Sequence, residues 1–93
     1  MNLLRGVERY WYQSRLSEYY PELRLRWIED SIEIVQDVEL IGGARWNSGG
    51  TRFVEIWTKS ADENKRQTIQ IFLLQTLSAL LANTTLILDG RTY

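Results

Sequence analysis

The sequence predicts an α+β fold: a two-layer sandwich in the order α-β-β-β-α-β, with two helices on one face of a mainly antiparallel sheet. Three observations carry this reading. Apolar residues recur at helical spacing over residues 3–20 and again after Ser60, the period switches to two between Glu22 and Thr58, and turn residues separate the alternating runs. A chain of 93 residues has enough area for one core and too little for two. No linker, repeat or low-complexity run interrupts it, so residues 1–93 read as a single domain.

The first helix is expected over residues 3–20, with Asn2 as N-cap, Leu3, Val7, Tyr10, Trp11 and Ser14 on its inner face, and Pro21 as its stop. Leu23, Leu25 and Trp27 then alternate with Glu22, Arg24 and Arg26, the mark of a half-buried strand. Glu29-Asp30-Ser31 reads as a turn, and one long second strand follows from Ile32 to Ile41. Asn47-Ser48-Gly49-Gly50 supplies hairpin-turn chemistry between Ala44-Arg45-Trp46 and the β-rich run Thr51 to Thr58. Ser60 and Glu63 form a capping box for the second helix, which is expected to run to about Ala82, with Asn83 as its left-handed stop. Thr84 to Leu88 is the last strand.

Folding the hairpin symmetrically about Ser48 and Gly49 sets Trp46 opposite Thr51, Arg45 opposite Arg52, Ala44 opposite Phe53 and Leu40 opposite Trp57. Ile32, Ile34, Val38, Leu40, Trp46, Phe53 and Trp57 then form the face under the helices. Val35, Ile41, Val54 and Ile56 fall on the other face, where contiguous aliphatic area marks an interface. A homodimer through that face is the expectation, with a two-fold pair as the default symmetry. The second helix carries Ile69, Leu73, Leu74, Leu77, Leu80 and Leu81 on a broad stripe, with Ile71 and Phe72 projecting elsewhere.

Two further surfaces attract attention. Arg45 facing Arg52 is a repulsive pair unless an anion joins it, Glu39, Glu55 or an acidic helix residue neutralises it, or a bulge at Gly42-Gly43 shifts the register; with Trp46 beside it as a ring to stack on, these three residues are the candidate anion or single-stranded nucleic-acid site. On the first helix Arg5, Tyr12 and Tyr19 recur every seven residues opposite Val7 and Trp11, the composition of a partner surface. A third possibility is an inhibitor or immunity-type protein that presents the acidic stretch from Glu29 to Glu39 to a basic target; that stretch holds Glu29, Asp30, Glu33, Asp37 and Glu39 without a compensating base.

Composition narrows the chemistry. Histidine and cysteine are absent, which removes the usual general base, the thiol nucleophile and the commonest transition-metal ligands. Glu33, Asp37 and Glu39 at even spacing offer only a weak carboxylate set, no glycine-rich loop opens a helix, and neither a cofactor nor a metal site is implied. A non-catalytic interaction module is therefore expected, with itself or another protein as partner. The stretch Ile69 to Leu81 is too short and polar for a bilayer, and the N-terminus lacks a secretory pattern, so a cytoplasmic protein is expected.

The order αβββα is similar to that of the double-stranded RNA-binding domain. That family opens its second helix on lysines, whereas Asp62 and Glu63 precede Lys65 and Arg66 here, so the resemblance implies the fold alone. Ile56-Trp57-Thr58 ahead of Glu63-Asn64 also resembles the strand-to-helix junction of the mRNA cap-binding initiation factors. It covers those five residues, and no function is carried over from it.

Overall fold

The computed structural model describes residues 6–47 and 52–93. Helix α1 (Gly6–Tyr19) leads into strands β1 (Leu23–Ile28), β2 (Ser31–Gln36), β3 (Glu39–Asn47) and β4 (Phe53–Thr58). Helix α2 (Glu63–Thr76), a 3-10 turn (Ser78–Leu80) and strands β5 (Thr85–Leu88) and β6 (Arg91–Thr92) follow. The six strands form one sheet in sequence order, antiparallel except where β4 and β5 run parallel on either side of α2. This is the α+β class that the sequence predicts. It has one strand more than expected ahead of α2, which departs from the αβββα order, and a short β6 after β5. No described helix is long and apolar enough to cross a membrane.

Both helices cover the same face of the sheet. Leu16 of α1 and Ile69, Phe72, Leu73 and Leu77 of α2 share one buried cluster with Leu23, Ile32, Ile34, Ile41, Ala44, Trp46, Val54 and Ile56. Tyr12 meets Phe72 edge-on with ring centroids 6.4 Å apart, which joins the two helices laterally. Fully burying a side chain of this kind stabilises the fold by roughly 1.5–3 kcal/mol. Asp62 rather than Ser60 caps α2, accepting hydrogen bonds from the Asn64 and Lys65 backbone N–H groups at 3.0 and 3.2 Å. The helix stops at Thr76 with Leu77 as its C-cap, six residues short of the predicted end, so Asn83 is not its stop; Asn83 is left-handed, at φ 57°, in the turn that leads from the 3-10 segment into β5.

The predicted long strand from Ile32 to Ile41 is two strands. The chain reverses at Asp37-Val38, with Asp37 at φ 56° and Val38 fully exposed, so Val38 is not a core residue. Two residues later β3 carries a bulge: Ile34 pairs with Gly42 but Val35 pairs with Leu40, leaving Ile41 as the extra residue. Beyond the bulge β3 is also paired differently with β4. Arg45 lies opposite Glu55, Trp46 opposite Val54 and Asn47 opposite Phe53. The expected turn at Ser48-Gly49-Gly50 lies outside the described residues, but the flanking pairs show a register three residues removed from the symmetric one.

That shift inverts half of the predicted face assignment. Ile41, Val54 and Ile56, expected at a dimer interface, are buried beneath the helices. Of the four proposed interface residues, Val35 alone alternates onto the uncovered face, where Leu40, Phe53 and Trp57 join it. The paired glycines follow from this arrangement. A Cβ on Gly42 would come within 3.2 Å of Ile69, on the covered side, while one on Gly43 would meet the Trp57 ring at 2.7 Å and the Ile32 carbonyl at 2.6 Å. Trp57 therefore lies against Gly43 on the open face. Substituting Gly43→Ala forces the indole and a strand backbone apart; the expected cost is about 1–3 kcal/mol, read as a lower urea midpoint with an unchanged slope.

Candidate functional site

The orientation of α1 decides which side chains reach solvent. Leu16 is its fully buried residue, and Tyr12 and Tyr20, one turn to either side, pack against the core. The predicted inner face is thus rotated away. Tyr10 and Trp11, expected inside, are exposed, and Tyr12, expected outside, packs against Phe72. Tyr19 is exposed as expected, and Arg5 lies outside the described residues. One side chain locks this orientation. The Gln13 amide oxygen accepts from the Leu25 backbone N–H at 2.7 Å, and its nitrogen donates to the Leu23 carbonyl at 3.1 Å and to the Ser17 hydroxyl at 3.0 Å.

Between the two helices the outer surface forms a groove of about 220 Å³ with Phe72 at its base, Arg15 and Tyr19 on the α1 side, and Thr68, Ile71 and Gln75 on the α2 side. Trp11 extends the α1 wall, its ring held under the Arg15 guanidinium at 5.0 Å. Tyr20 beneath Lys65 and Tyr12 beside Phe72 fix the two helices as antiparallel neighbours. Trp11 is 52% exposed, Tyr19 57% and Ile71 55%, which places three large apolar side chains in water around one groove. Tyr19 is the groove residue that seven-residue spacing identifies; Trp11 and Ile71 were missed. Ile71 was legible as a departure from the α2 stripe.

The candidate anion trio is divided between two faces. Arg45 lies on the open face, where it pairs with Glu55, so the repulsive arginine pair does not exist. Arg52 and Trp46 do meet, at a cleft of about 290 Å³ near the base of the β3–β4 hairpin whose other walls include Val54, Leu80, Asn83 and Thr84. The acidic stretch is also dispersed. Glu29 and Asp30 sit at the β1–β2 turn and Asp37 and Glu39 at the β2–β3 turn, separated by the length of β2, roughly 20 Å for six residues. Glu33 between them pairs with Arg26 at 2.6 Å. No group of carboxylates among the described residues is arranged to hold a metal ion. The open face bears two such cross-strand ion pairs, each worth about 0–1 kcal/mol when exposed, so they neutralise the surface more than they hold it together.

The end of the groove near Tyr20 is closed by charge. The Lys65 ammonium is largely buried, sits 5.1 Å from the Tyr20 ring, and donates to the Gln36 side-chain oxygen at 3.0 Å and the Glu22 carboxylate at 3.1 Å. Glu22 also accepts from its own backbone N–H, and that bond together with Lys65 holds its carboxyl below the ordinary value of 4.5. No protein-family model, curated protein or solved structure matches the chain.

A carboxyl with a depressed native pKa adds stability above its ordinary value, and the gain is lost as pH falls through the native one. Glu22→Gln is therefore expected to lower the urea midpoint at neutral pH. The difference from wild type closes as the pH is taken below 4.5 and through the lower native value, which urea titrations at a series of pH values will follow.

Proposed function

We propose that the chain is a small non-catalytic interaction module that pairs with a second copy of itself through its helix layer. The observation that carries this reading is that Tyr19 and Ile71 line the interhelical groove and Trp11 lies beside it under Arg15, each more than half exposed. The burial of Ile41, Val54 and Ile56 beneath the helices removes three of the four residues expected at a sheet-face interface, which favours this surface instead. Charge favours a like partner. Arg15 and Glu18 lie one turn apart on α1 and neither forms an ion pair among the described residues. A two-fold contact brings the same patch of each subunit together, and α1 packed antiparallel against its copy sets each Arg15 near the other subunit's Glu18. The lack of histidine and cysteine supports the non-catalytic half of the reading.

Sedimentation velocity at micromolar concentration is the test. The wild type is expected to run as a dimer. Ile71→Lys and Trp11→Glu are expected to run as monomers with unchanged far-UV circular dichroism, and Val35→Lys to stay dimeric. A wild-type monomer throughout that range, or a dimer broken by Val35→Lys and untouched by Ile71→Lys, overturns the proposal.

A second reading, single-stranded nucleic-acid binding on the open sheet face, is favoured by Trp57. Its ring lies against Gly43 on the open face, with the Lys59 ammonium 5.5 Å from its centre. A base can stack on such a platform while cations meet its phosphates. Tryptophan quenching by an oligonucleotide, weakened by salt and lost in Trp57→Ala, is the expected result; unaltered fluorescence at low salt rejects this reading.

A further inference from the structure

We propose that the cleft at the base of the β3–β4 hairpin binds a small carboxylate carrying an apolar body. Trp46, Val54 and Leu80 give it apolar walls, and Arg52 supplies a guanidinium beside them. Its volume of about 290 Å³ stands at the small end of ligand pockets, which begin at roughly 300 Å³. The described lining residues include no acidic side chain.

Of the arginines without a carboxylate partner, Arg52 is the one in this cleft. Arg26, Arg45 and Arg66 each face a carboxylate, and Arg24 donates to the Pro21 and Leu23 carbonyls. Among the described residues Arg52 has no ion pair and no side-chain hydrogen bond. A guanidinium in that condition offers two parallel N–H donors, the geometry a carboxylate accepts in bidentate fashion. The opposite wall is set in place by its own hydrogen bonds. The Thr84 hydroxyl lies 2.6 Å from the Leu80 carbonyl and 3.1 Å from that of Ala82, beside the left-handed turn at Asn83. The Thr85 backbone N–H reaches the Arg52 carbonyl at 3.2 Å, which ties this wall to the arginine. Charge and apolar surface thus converge on one small concavity, the combination that selects an amphipathic anion over either a bare ion or a neutral hydrocarbon.

Hexanoate and its neutral counterpart hexanamide are suitable probes, titrated into the ¹⁵N-labelled protein and followed by backbone amide and indole N–H shifts. Hexanoate is expected to give saturable shifts at the Trp46 indole and at the Asn83 and Thr84 amides. Hexanamide is expected to bind about tenfold more weakly, the loss of a charge-assisted contact. Arg52→Gln, at an exposed position, is expected to weaken hexanoate by about the same factor. Arg45→Gln, on the far side of the sheet, is expected to leave it unchanged. Shifts that never saturate, equal affinity for acid and amide, or hexanoate binding indifferent to Arg52→Gln each overturn the proposal.

Discussion

The bulge in β3 decides what every surface of this molecule presents. A strand has a side-chain period of two, so one extra residue moves everything beyond it to the opposite face. With Ile41 inserted opposite the Ile34–Val35 step, both Ile41 and Ala44 reach the helices, and Trp46 keeps the inner position that carries it into the hairpin cleft. The two glycines after it make the bulge compatible with packing on both sides. Gly42 allows α2 to approach through Ile69, and Gly43 allows the Trp57 ring to lie against it on the outer face. A side chain at either position would push apart layers that the rest of the core draws together.

The legible and illegible parts of the fold divide on physical grounds. Pro21, the β1 alternation and the acidic start of α2 are local signals, each acting through the backbone of its own few residues, and each stands where the sequence places it; Asn83 is left-handed as expected but sits in the turn before β5 rather than at the end of α2. The reversal at Asp37-Val38 has no glycine or proline, and alternation runs through it from Ile32 to Leu40 with Gln36 as its one polar member on the apolar phase. Only the pairing of β2 with β3 reveals it. The bulge is marked by Gly42-Gly43, which the sequence offers as a candidate bulge, but local residues do not show that Ile41 is the extra residue or how far the register moves. On α1 the error has another cause. Most of its apolar weight lies in aromatic residues, which pack well while partly wet. Leu16, the lone aliphatic residue of the helix's second half, fixes the inner face, and Trp11 is left outside with Arg15 stacked on it.

The same register explains why the arginines fail to gather. Arg45 faces Glu55 rather than Arg52, and Arg26 faces Glu33, so the open face carries cations already matched to carboxylates one strand away. Arg9 and Arg15 rest on Trp27 and Trp11 instead. Stacking of this kind is worth about 0.5–1 kcal/mol at an exposed site and leaves the guanidinium edge free for a further partner. The helix layer therefore keeps hydrogen-bonding capacity that the sheet face has already used, and this difference, together with exposed Trp11, Tyr19 and Ile71, is what the proposed association through the helix layer rests on.

The Gln13 clamp bears on how association can occur. β1 is an edge strand, and an edge with free N–H and C=O groups invites another chain to add a strand. Gln13 occupies the outward groups of Leu23 and Leu25 with one donor and one acceptor, as a neighbouring strand would. Its side chain closes the first half of that edge and at the same time anchors α1 to the sheet in a single rotation. Addition of a strand at that part of β1 would have to displace the helix. Contact through the outer helix surface requires no such displacement, and it uses a rim whose orientation the clamp has already fixed.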